Sequence, residues 1–330
     1  MKAKALIEAE RQQYAERATR QVATSAVAST PSPGSKQKGR QAGLNKSEPA
    51  NALIVAAKSN PRVAASLKPP LKWAGGKRWL VPHLASLWQP HSFRRYVEPF
   101  CGGLAVPLGL VPKRAILNDI NPHLVNFYAH LQRGLELTIE MKNEEKSFYE
   151  HRSRFNQLIK DGEAHSAEAA QLFYYLNRTC FNGLCRFNQT GEFNVPFGKH
   201  KSIAYARDFS GFPAVLKNWR FSCGDLETLS IEPEDFIYAD PPYDVEFTTY
   251  SAGGFSWDDQ VRTAEWLAAH PGPVVLSNQA TSRIVKLYKK LDFEMRYLEG
   301  PRRISCTGDR SEAREVLATK GLNLERRKIS

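Results

Sequence analysis

Short apolar runs alternate with amphipathic stretches from Pro69 to about residue 320. Seven of these runs have the length and the aromatic or β-branched content of strands. They are Arg95–Glu98, Ala115–Asn118, Phe221–Cys223, Phe236–Ala239, Val274–Ser277, Phe293–Leu298 and Glu315–Thr319. Strands that alternate with helix-like stretches predict an α/β fold with a mostly parallel sheet. Only a polar, glycine-containing loop separates the last two runs, which predicts a terminal antiparallel hairpin.

The segment 134–215 interrupts this alternation between the second and third strand candidates. Its first part has helical periodicity, with apolar positions such as Phe148, Phe155 and Leu158. From Asn177 to Lys201 it becomes rich in Asn, Gly, Arg and Phe. The segment is too long for an ordinary crossover connection. We therefore predict an inserted subdomain over residues 134–215.

Residues 1–68 have a different composition from the rest of the chain. Residues 3–22 are rich in Ala, Glu, Arg and Gln and predict a helix, and Ala52–Ala57 is compatible with a transient one. The stretch between them is dominated by small, polar and basic residues and has too little apolar surface to fold. We expect residues 1–68 to form a largely disordered tail.

The overall charge is +12 and favours a polyanionic partner. The charge is uneven, because residues 1–68 hold twelve Lys and Arg against four Asp and Glu, a net +8. A solvated basic tail and a segment that helps to hold nucleic acid are equally good interpretations of this excess.

Several classes of protein are disfavoured by the composition. The sequence contains no run of about 18 apolar residues, so we expect no transmembrane helix. The charged N-terminus lacks the apolar core of a secretory signal. The five cysteines are odd in number and form no CxxC pair. We therefore expect no disulfide framework, no bound metal and a reducing cytoplasmic setting.

A strand followed by a glycine turn is the first candidate for a ligand site. Residues 96–103 read Tyr-Val-Glu-Pro-Phe-Cys-Gly-Gly, and residues 104–108 can open a helix. Asp119 ends the next strand, 17 residues after Gly102, where an acid can accept hydrogen bonds from ribose hydroxyls. Leu104 stands where a dinucleotide fingerprint has its second glycine. S-adenosylmethionine has no phosphate and tolerates such a turn, although an ordinary tight turn with a helix-capping Asp119 remains the alternative.

The tetrad Asp240-Pro241-Pro242-Tyr243 directly follows the apolar run Phe236–Ala239. Two prolines end strand pairing and restrict the backbone, so a carboxylate is held where α/β proteins bind ligands. An exocyclic amino group is a poor nucleophile because its lone pair is delocalised. Hydrogen bonds to Asp240 and to the Pro241 carbonyl would localise that pair, and Tyr243 could stack on a flipped base. The alternative is a loop with a capping Asp and a chance Pro-Pro.

Four sequence blocks together resemble the Dam-type DNA adenine-N6 methyltransferases (D12 class, alpha group). The blocks are Leu71–Lys77 (LKWAGGK), Glu98–Gly102 (EPFCG), Asn177–Gly198 and Asp240–Tyr243, and a weaker one is Arg302–Ser305. The resemblance spans about residues 69–320. It implies a Rossmann-like methyltransferase fold, a seven-stranded mixed sheet with a reversed last strand. It also implies a catalytic domain over 69–133 and 216–322, with 134–215 as a target-recognition insert.

The resemblance assigns roles to matching positions. S-adenosylmethionine is the implied cofactor, bound by Trp73, Lys77, Glu98, Phe100, Gly102, Asp119 and Asp240. The implied catalytic residues are Asp240, Pro241, Pro242 and Tyr243. The insert is expected to bind double-stranded DNA through Arg178, Phe181, Asn182, Leu184, Arg186, Asn188, Pro196 and Lys199.

The chemistry of the insert agrees with these assignments, since Arg can read guanine and Asn can read adenine. Without the resemblance, a glycine-rich hairpin with a solvated basic face would be an equally good interpretation. Four residues depart from the family pattern. Phe181 and Phe187 stand where tyrosine is frequent, which should preserve stacking on bases. Lys199 stands where arginine is common, which weakens a bidentate contact, and Leu104 stands where the family's glycine turn has a second Gly.

These observations predict a methyltransferase that acts on N6 of a flipped adenine in duplex DNA. Related proteins with so similar an insert often recognise GATC, so we expect GATC or a related short site. We expect a monomer or weak dimer without membrane association. The alternatives are another amino-group methyltransferase, acting on cytosine N4, RNA or a glutamine amide, and a DNA-binding module that has lost catalysis. The block Asn177–Gly198 argues against the first, and intact Trp73, Lys77, Asp119 and Asp240 argue against the second.

Overall fold

A computed structural model describes residues 67–244, 255–300 and 313–322. Seven strands form one sheet in the order β3-β2-β1-β4-β5-β7-β6. Their bounds are β1 Tyr96–Glu98, β2 Ala115–Asp119, β3 Trp219–Cys223, β4 Phe236–Ala239, β5 Val274–Gln279, β6 Glu294–Gly300 and β7 Ala313–Lys320. Strands β1 to β5 are parallel, and β7 runs antiparallel to both β5 and β6. All seven strand predictions, the mixed sheet and the terminal hairpin are confirmed.

Eight α-helices occur in the described ranges. They are α1 Val81–Trp88, α2 Pro107–Leu110, α3 Pro122–Gln132, α4 Glu145–Lys160, α5 Ala167–Thr179, α6 Phe212–Leu216, α7 Trp257–Ala268 and α8 Ser282–Lys290. Short 3-10 turns span Arg78–Leu80, Gln89–His91, Phe181–Gly183 and Leu226–Thr228. No helix among these residues is long and apolar enough to cross a membrane.

Alternate residues of the central strands face opposite sides of the sheet, as the two-residue period requires. Tyr96 of β1 and Tyr238 of β4 belong to one buried cluster, and their neighbours Val97 and Ile237 belong to another. Helices α1, α3 and α5 cover the first face, and α7 and α8 cover the second. Because both faces are buried, the strands read as continuous apolar runs rather than as alternating ones.

The insert shares its core with the sheet. Its helices α4 and α5 contribute Phe148, Phe155 and Phe173 to the same cluster as Phe127 of α3. The glycine-rich part forms an irregular hairpin in which Phe187 pairs with Phe193. The predicted helical periodicity of the insert is therefore confirmed, but its helices pack on α3 instead of enclosing a separate core.

Some predictions concern residues outside the described ranges. These are the tail helices over 3–22 and 52–57, the disorder of the tail and the block Arg302–Ser305. Within the described ranges, Cys101, Cys180, Cys185 and Cys223 are free thiols. The same residues contain no group of three side chains that could hold a metal ion.

Candidate active site

The Asp240 carboxylate lies just beyond the end of β4, between donors from two other elements. Ser277 of β5 donates a hydrogen bond from its Oγ to Asp240 Oδ1 over 2.8 Å. Lys77 Nζ donates to Asp240 Oδ2, also over 2.8 Å. The Tyr238 hydroxyl lies 2.9 Å from Ser277 Oγ and extends the network into the sheet. Each carboxylate oxygen of Asp240 therefore accepts a hydrogen bond, and the two bonds fix the orientation of the side chain.

Lys77 reaches this point from the loop before α1. Its side chain is only 4% exposed, and its Nζ also donates to the Gly75 carbonyl over 3.3 Å. The ammonium lies 4.5 Å from the centre of the Tyr243 ring, a cation–π arrangement. Because the ammonium covers one face of the Tyr243 ring, only the opposite face is left for stacking with a planar group.

The Tyr243 hydroxyl is also engaged, because it donates a short hydrogen bond to Glu315 of β7. Burial and the carboxylates of Asp240 and Glu315 raise the pKa of Tyr243, so the phenol stays protonated and acts as a donor. Glu315 Oε2 lies 4.0 Å from Lys77 Nζ. The reversed strand thus adds an acid to the site.

The glycine turn after β1 approaches Trp73 closely. Gly102 has a φ of +43°, and a Cβ there would lie 2.7 Å from Trp73 Nε1. A Cβ at Gly103 would lie 2.7 Å from Trp73 Cβ. Gly102 therefore excludes larger residues both by its positive φ and by its contact with Trp73. Gly103 excludes them by contact alone. Phe100 in this turn packs edge-on against Phe255, with ring centres 5.8 Å apart.

Asp119 at the end of β2 is joined to the same turn. Its Oδ2 accepts the Gly102 N–H over 3.0 Å, and its Oδ1 accepts the Asn121 N–H over 3.0 Å. Burial outweighs these bonds and raises the pKa of Asp119 to about 6. Burial likewise raises the pKa of Glu98 well above its usual range, and repulsion from Asp240 and Asp119 adds to the effect. Three carboxyl groups therefore lie near one another at this edge of the sheet.

The departure at Leu104 has a structural consequence. Leu104 has a φ of +59°, in the left-handed region that favours glycine, while its side chain is fully buried. The prediction of a helix beginning at residue 104 is wrong. Helix α2 begins at Pro107 because the left-handed residue interrupts the helical backbone and proline suits the first helical position.

The candidate DNA-reading residues lie around the hairpin of the insert. The Phe181 N–H donates to the Pro196 carbonyl over 2.9 Å, and the Gly198 N–H donates to the Thr179 carbonyl over 2.9 Å. These bonds bring the turn after α5 beside the strand that leads to Lys199. The predicted residues with exposed side chains are Phe181 (48% exposed), Asn182, Arg186, Pro196 and Lys199.

Other predicted readers are turned toward the protein. The Asn188 amide accepts from the Thr190 and Glu192 backbone N–H groups and donates to the Glu192 side chain over 3.2 Å. Asn188 thus shapes the hairpin turn. Leu184 is only partly exposed and packs on the core. Arg178 lies over the Tyr174 ring at 5.9 Å, and its Nε has no hydrogen-bond partner among the described residues.

Phe187 is also turned inward. It stacks on His123 with ring centres 4.7 Å apart and meets Phe193 edge-on. The expectation that Phe187 preserves stacking on bases is therefore wrong in this conformation, because its ring fills the junction between the hairpin and α3.

Several residues that support the site carry no obvious motif. Asn118 donates to the Pro99 and Gly224 carbonyls over 3.0 and 2.9 Å, and so joins the turns after β1 and β3. The others are Ser277, Asn278, Glu315 and the helix residue Gln260. All of these except Gln260 are polar residues within or at the end of the strand runs, and this is the signal that could have indicated them.

The family model described as D12 class N6 adenine-specific DNA methyltransferase matches residues 73–304. The chain belongs to this family. The matched region of this D12-class protein runs from Trp73 to Ile304 and contains the glycine turn, the insert and the tetrad. The predicted resemblance to the Dam-type DNA adenine-N6 methyltransferases is thereby confirmed.

Three relatives illustrate the similarity of this D12-class chain to characterised proteins. A retron Ec67 DNA adenine methylase from Escherichia coli is 34% identical over 265 residues, covering 76% of this chain and 90% of the relative. A DNA adenine methylase from Vibrio cholerae is 34% identical and covers 75% and 94%. The type II methyltransferase M1.LlaDCHI from Lactococcus lactis subsp. cremoris is 33% identical and covers 77% and 95%.

Proposed function

We propose that this protein transfers the methyl group of S-adenosylmethionine to N6 of an adenine that is flipped out of duplex DNA. One observation carries the proposal. The Asp240 carboxylate is oriented by Ser277 and Lys77 directly beside the Pro-Pro turn and the Tyr243 ring. This arrangement presents hydrogen-bond acceptors and an aromatic face, which are the groups that a planar amino-bearing base requires.

The residues around the glycine turn fit S-adenosylmethionine. Gly102 and Gly103 leave no room for side chains beside Trp73, so the Trp73 side chain packs directly on the turn whose Gly102 N–H bonds to Asp119. Asp119 offers a carboxylate to the ribose hydroxyls, and both its oxygens retain lone pairs beyond the two backbone bonds. We propose that Trp73, Lys77, Glu98, Phe100, Gly102, Asp119 and Asp240 hold the cofactor, which supplies an electrophilic methyl group.

The tetrad prepares the adenine amino group for attack. Asp240 accepts one amino hydrogen, using a lone pair that Ser277 and Lys77 leave free. The Pro241 carbonyl accepts the other, and the nitrogen lone pair turns toward the methyl carbon. The residues named above would hold S-adenosylmethionine, which would supply the methyl group and keep the electron pair of the S–C bond on sulfur, and the surplus proton of the methylated nitrogen would pass to solvent. Placement of the reacting groups supplies most of the acceleration in such a mechanism.

The insert 134–215 is the proposed target-recognition region, and 69–133 with 216–322 is the proposed catalytic domain. Exposed Phe181 can fill the gap that a flipped base leaves in the stack. Arg186 is pre-oriented by a 2.8 Å bond from its Nε to Asn194 Oδ1, so its remaining donors can read a base edge. We propose GATC or a related short site as the target.

Methyl transfer from labelled S-adenosylmethionine to unmethylated duplex DNA tests this function. The wild type should label adenine, and Asp240→Ala should lower the rate at least about a thousandfold, because it removes an acceptor used in the transition state. Asp208→Ala, at an exposed carboxylate that only caps Ser210, is the matched control and should retain activity. Sequencing the methylated adenines then reads out the site. Label found only in cytosine, RNA or protein would contradict the proposal.

A further inference from the structure

The tetrad has few means of holding its own position. Pro241 and Pro242 have no backbone N–H, so neither can donate a hydrogen bond to the surrounding structure. Their rings fix φ, but the ψ angles of both residues remain free to rotate. Asp240 is anchored through its side chain by Ser277 and Lys77. Tyr243 is bonded to Glu315 and Asp244 to Arg283 through their side chains, so the Pro242 backbone is the part of the segment that still requires an anchor.

That anchor is a pair of buried amide side chains. Gln260 of α7 donates from Nε2 to the Pro242 carbonyl over 2.7 Å. Asn278 of β5 donates from Nδ2 to Gln260 Oε1 over 3.0 Å. Gln260 is 2% exposed and Asn278 is fully buried. A chain of two amides thus connects the second proline to the strand that also carries Ser277.

The bonding partners fix the direction of this chain. Asn278 Oδ1 accepts the backbone N–H of Gln279 over 2.8 Å, so Asn278 must present its NH₂ to Gln260. The same NH₂ donates to the Tyr288 hydroxyl over 3.1 Å. Gln260 Oε1 therefore faces Asn278, and its Nε2 faces Pro242. Flipping either amide by 180° would place two donors or two acceptors against each other in a buried site.

We propose that Gln260 and Asn278 are positioning residues for methyl transfer, fixing the Pro242 carbonyl and thereby the direction of the Pro241 carbonyl and the Tyr243 ring. The inference rests on the proposed function, since those two groups are its amino acceptor and its base-facing ring. Adjacent residues of β5 then hold both ends of the tetrad. Ser277 fixes the Asp240 carboxylate, and Asn278 acts on Pro242 through Gln260.

The variant Gln260→Met removes the donor while keeping the volume of the side chain. We expect the single-turnover methylation rate to fall at least about tenfold, because small misplacements of reacting groups are costly. The dissociation constant of S-adenosylmethionine should stay within about twofold. Gln132→Met is the matched control. Gln132 also donates to backbone carbonyls, those of Leu216 and Trp219 over 2.6 and 2.7 Å, and lies outside the tetrad.

A second variant, Gln260→Glu, provides a conditional rescue. A protonated carboxyl group can accept from Asn278 and donate to the Pro242 carbonyl, as the amide does. The ionised form cannot donate. Activity relative to the wild type at the same pH should therefore rise as the pH falls, and that of Gln260→Met should show no such recovery. Equal, pH-independent losses in both variants would overturn the positioning role.

Hydrogen–deuterium exchange gives a test that does not depend on activity. The backbone amides of residues 238–244 should exchange faster in Gln260→Met than in the wild type, and Gln132→Met should leave them unchanged. Unchanged exchange in Gln260→Met, or a methylation loss no larger than that of Gln132→Met, would overturn the inference. A wild type that methylates no adenine would instead contradict the proposed function. The exchange measurement separates the two failures.

Discussion

The tetrad edge of the sheet and the hairpin of the insert hold their side chains in contrasting ways. Asp240 receives donors from β5 and from the loop before α1, and Tyr243 bonds to β7. The hairpin holds Arg186 by a neighbour eight residues away and leaves Phe181 48% exposed. The proposed catalytic groups are thus fixed by distant segments, and the proposed DNA-reading groups are fixed locally or left exposed.

This difference follows from what each region must do. Groups that act on a reacting atom need fixed positions before the substrate arrives. Groups that read a duplex must adapt as the base edges approach. Variants at the sheet edge should therefore change the rate of methyl transfer, and variants at the hairpin should change the choice of sequence.

Among the residues that hold the tetrad in place, the largest effect is expected from Lys77→Met, which removes the donor to Asp240 Oδ2 and the cation over Tyr243. We expect the single-turnover rate to fall about a hundredfold or more, because the carboxylate loses one of its two anchors. Arg78→Met, at the exposed neighbouring residue, should be nearly silent. A Lys77→Met enzyme that keeps more than half of the wild-type rate would show that Lys77, in the loop before α1, does not hold the Asp240 carboxylate in its active position.

An intermediate effect is expected at Asp119, whose pKa is raised to about 6 by burial. The proposed role of Asp119, accepting the ribose hydroxyls, requires the ionised carboxylate, so calorimetric affinity for S-adenosylmethionine should weaken as the pH falls through about 6. Asp119→Asn should bind about tenfold more weakly at pH 8 and lose this pH dependence, because charge-assisted hydrogen bonds contribute about 1.5–3 kcal/mol.

The same raised pKa makes an opposite prediction for stability. The folded state binds the Asp119 proton more tightly than the unfolded state, so the contribution of this group is greatest below its ordinary pKa of 3.8 and is lost as the pH rises through about 6. The melting temperature of the free wild type relative to that of Asp119→Asn, which does not titrate, should therefore rise as the pH falls from about 8 to about 5. A difference that is independent of pH, together with unchanged cofactor affinity, would assign Asp119 a purely structural role.

The smallest effect is expected from Lys199→Arg in the hairpin. Arginine restores the planar two-donor group that suits a guanine edge. We expect discrimination between the preferred site and its single-base variants to improve a few-fold, with the methylation rate at the preferred site unchanged. Lys201→Arg, at an exposed residue two positions away, is the control. Equal changes in both variants would indicate a general charge effect.

Much of the molecule was predictable because local patterns determine it. The seven predicted runs became the seven strands, and the central strands are largely apolar because they are buried on both faces. The tetrad followed from a strand that ends in two prolines, and Asp119 followed from its spacing after Gly102. Leu104 was recognisable as a departure, but only its φ of +59° showed that it displaces the start of α2 to Pro107.

What the tertiary structure alone decided is which polar groups meet. Gln260, Asn278 and Glu315 lie 20 to 75 residues after Asp240 in the chain, and no periodicity links them to the tetrad. Parallel strands and crossover helices bring their donors and acceptors within hydrogen-bond distance. The same packing turned Phe187 and Asn188 inward. Apolar burial depends on residue type and can be predicted from the sequence, whereas hydrogen bonds depend on distance and direction, which only the folded chain supplies.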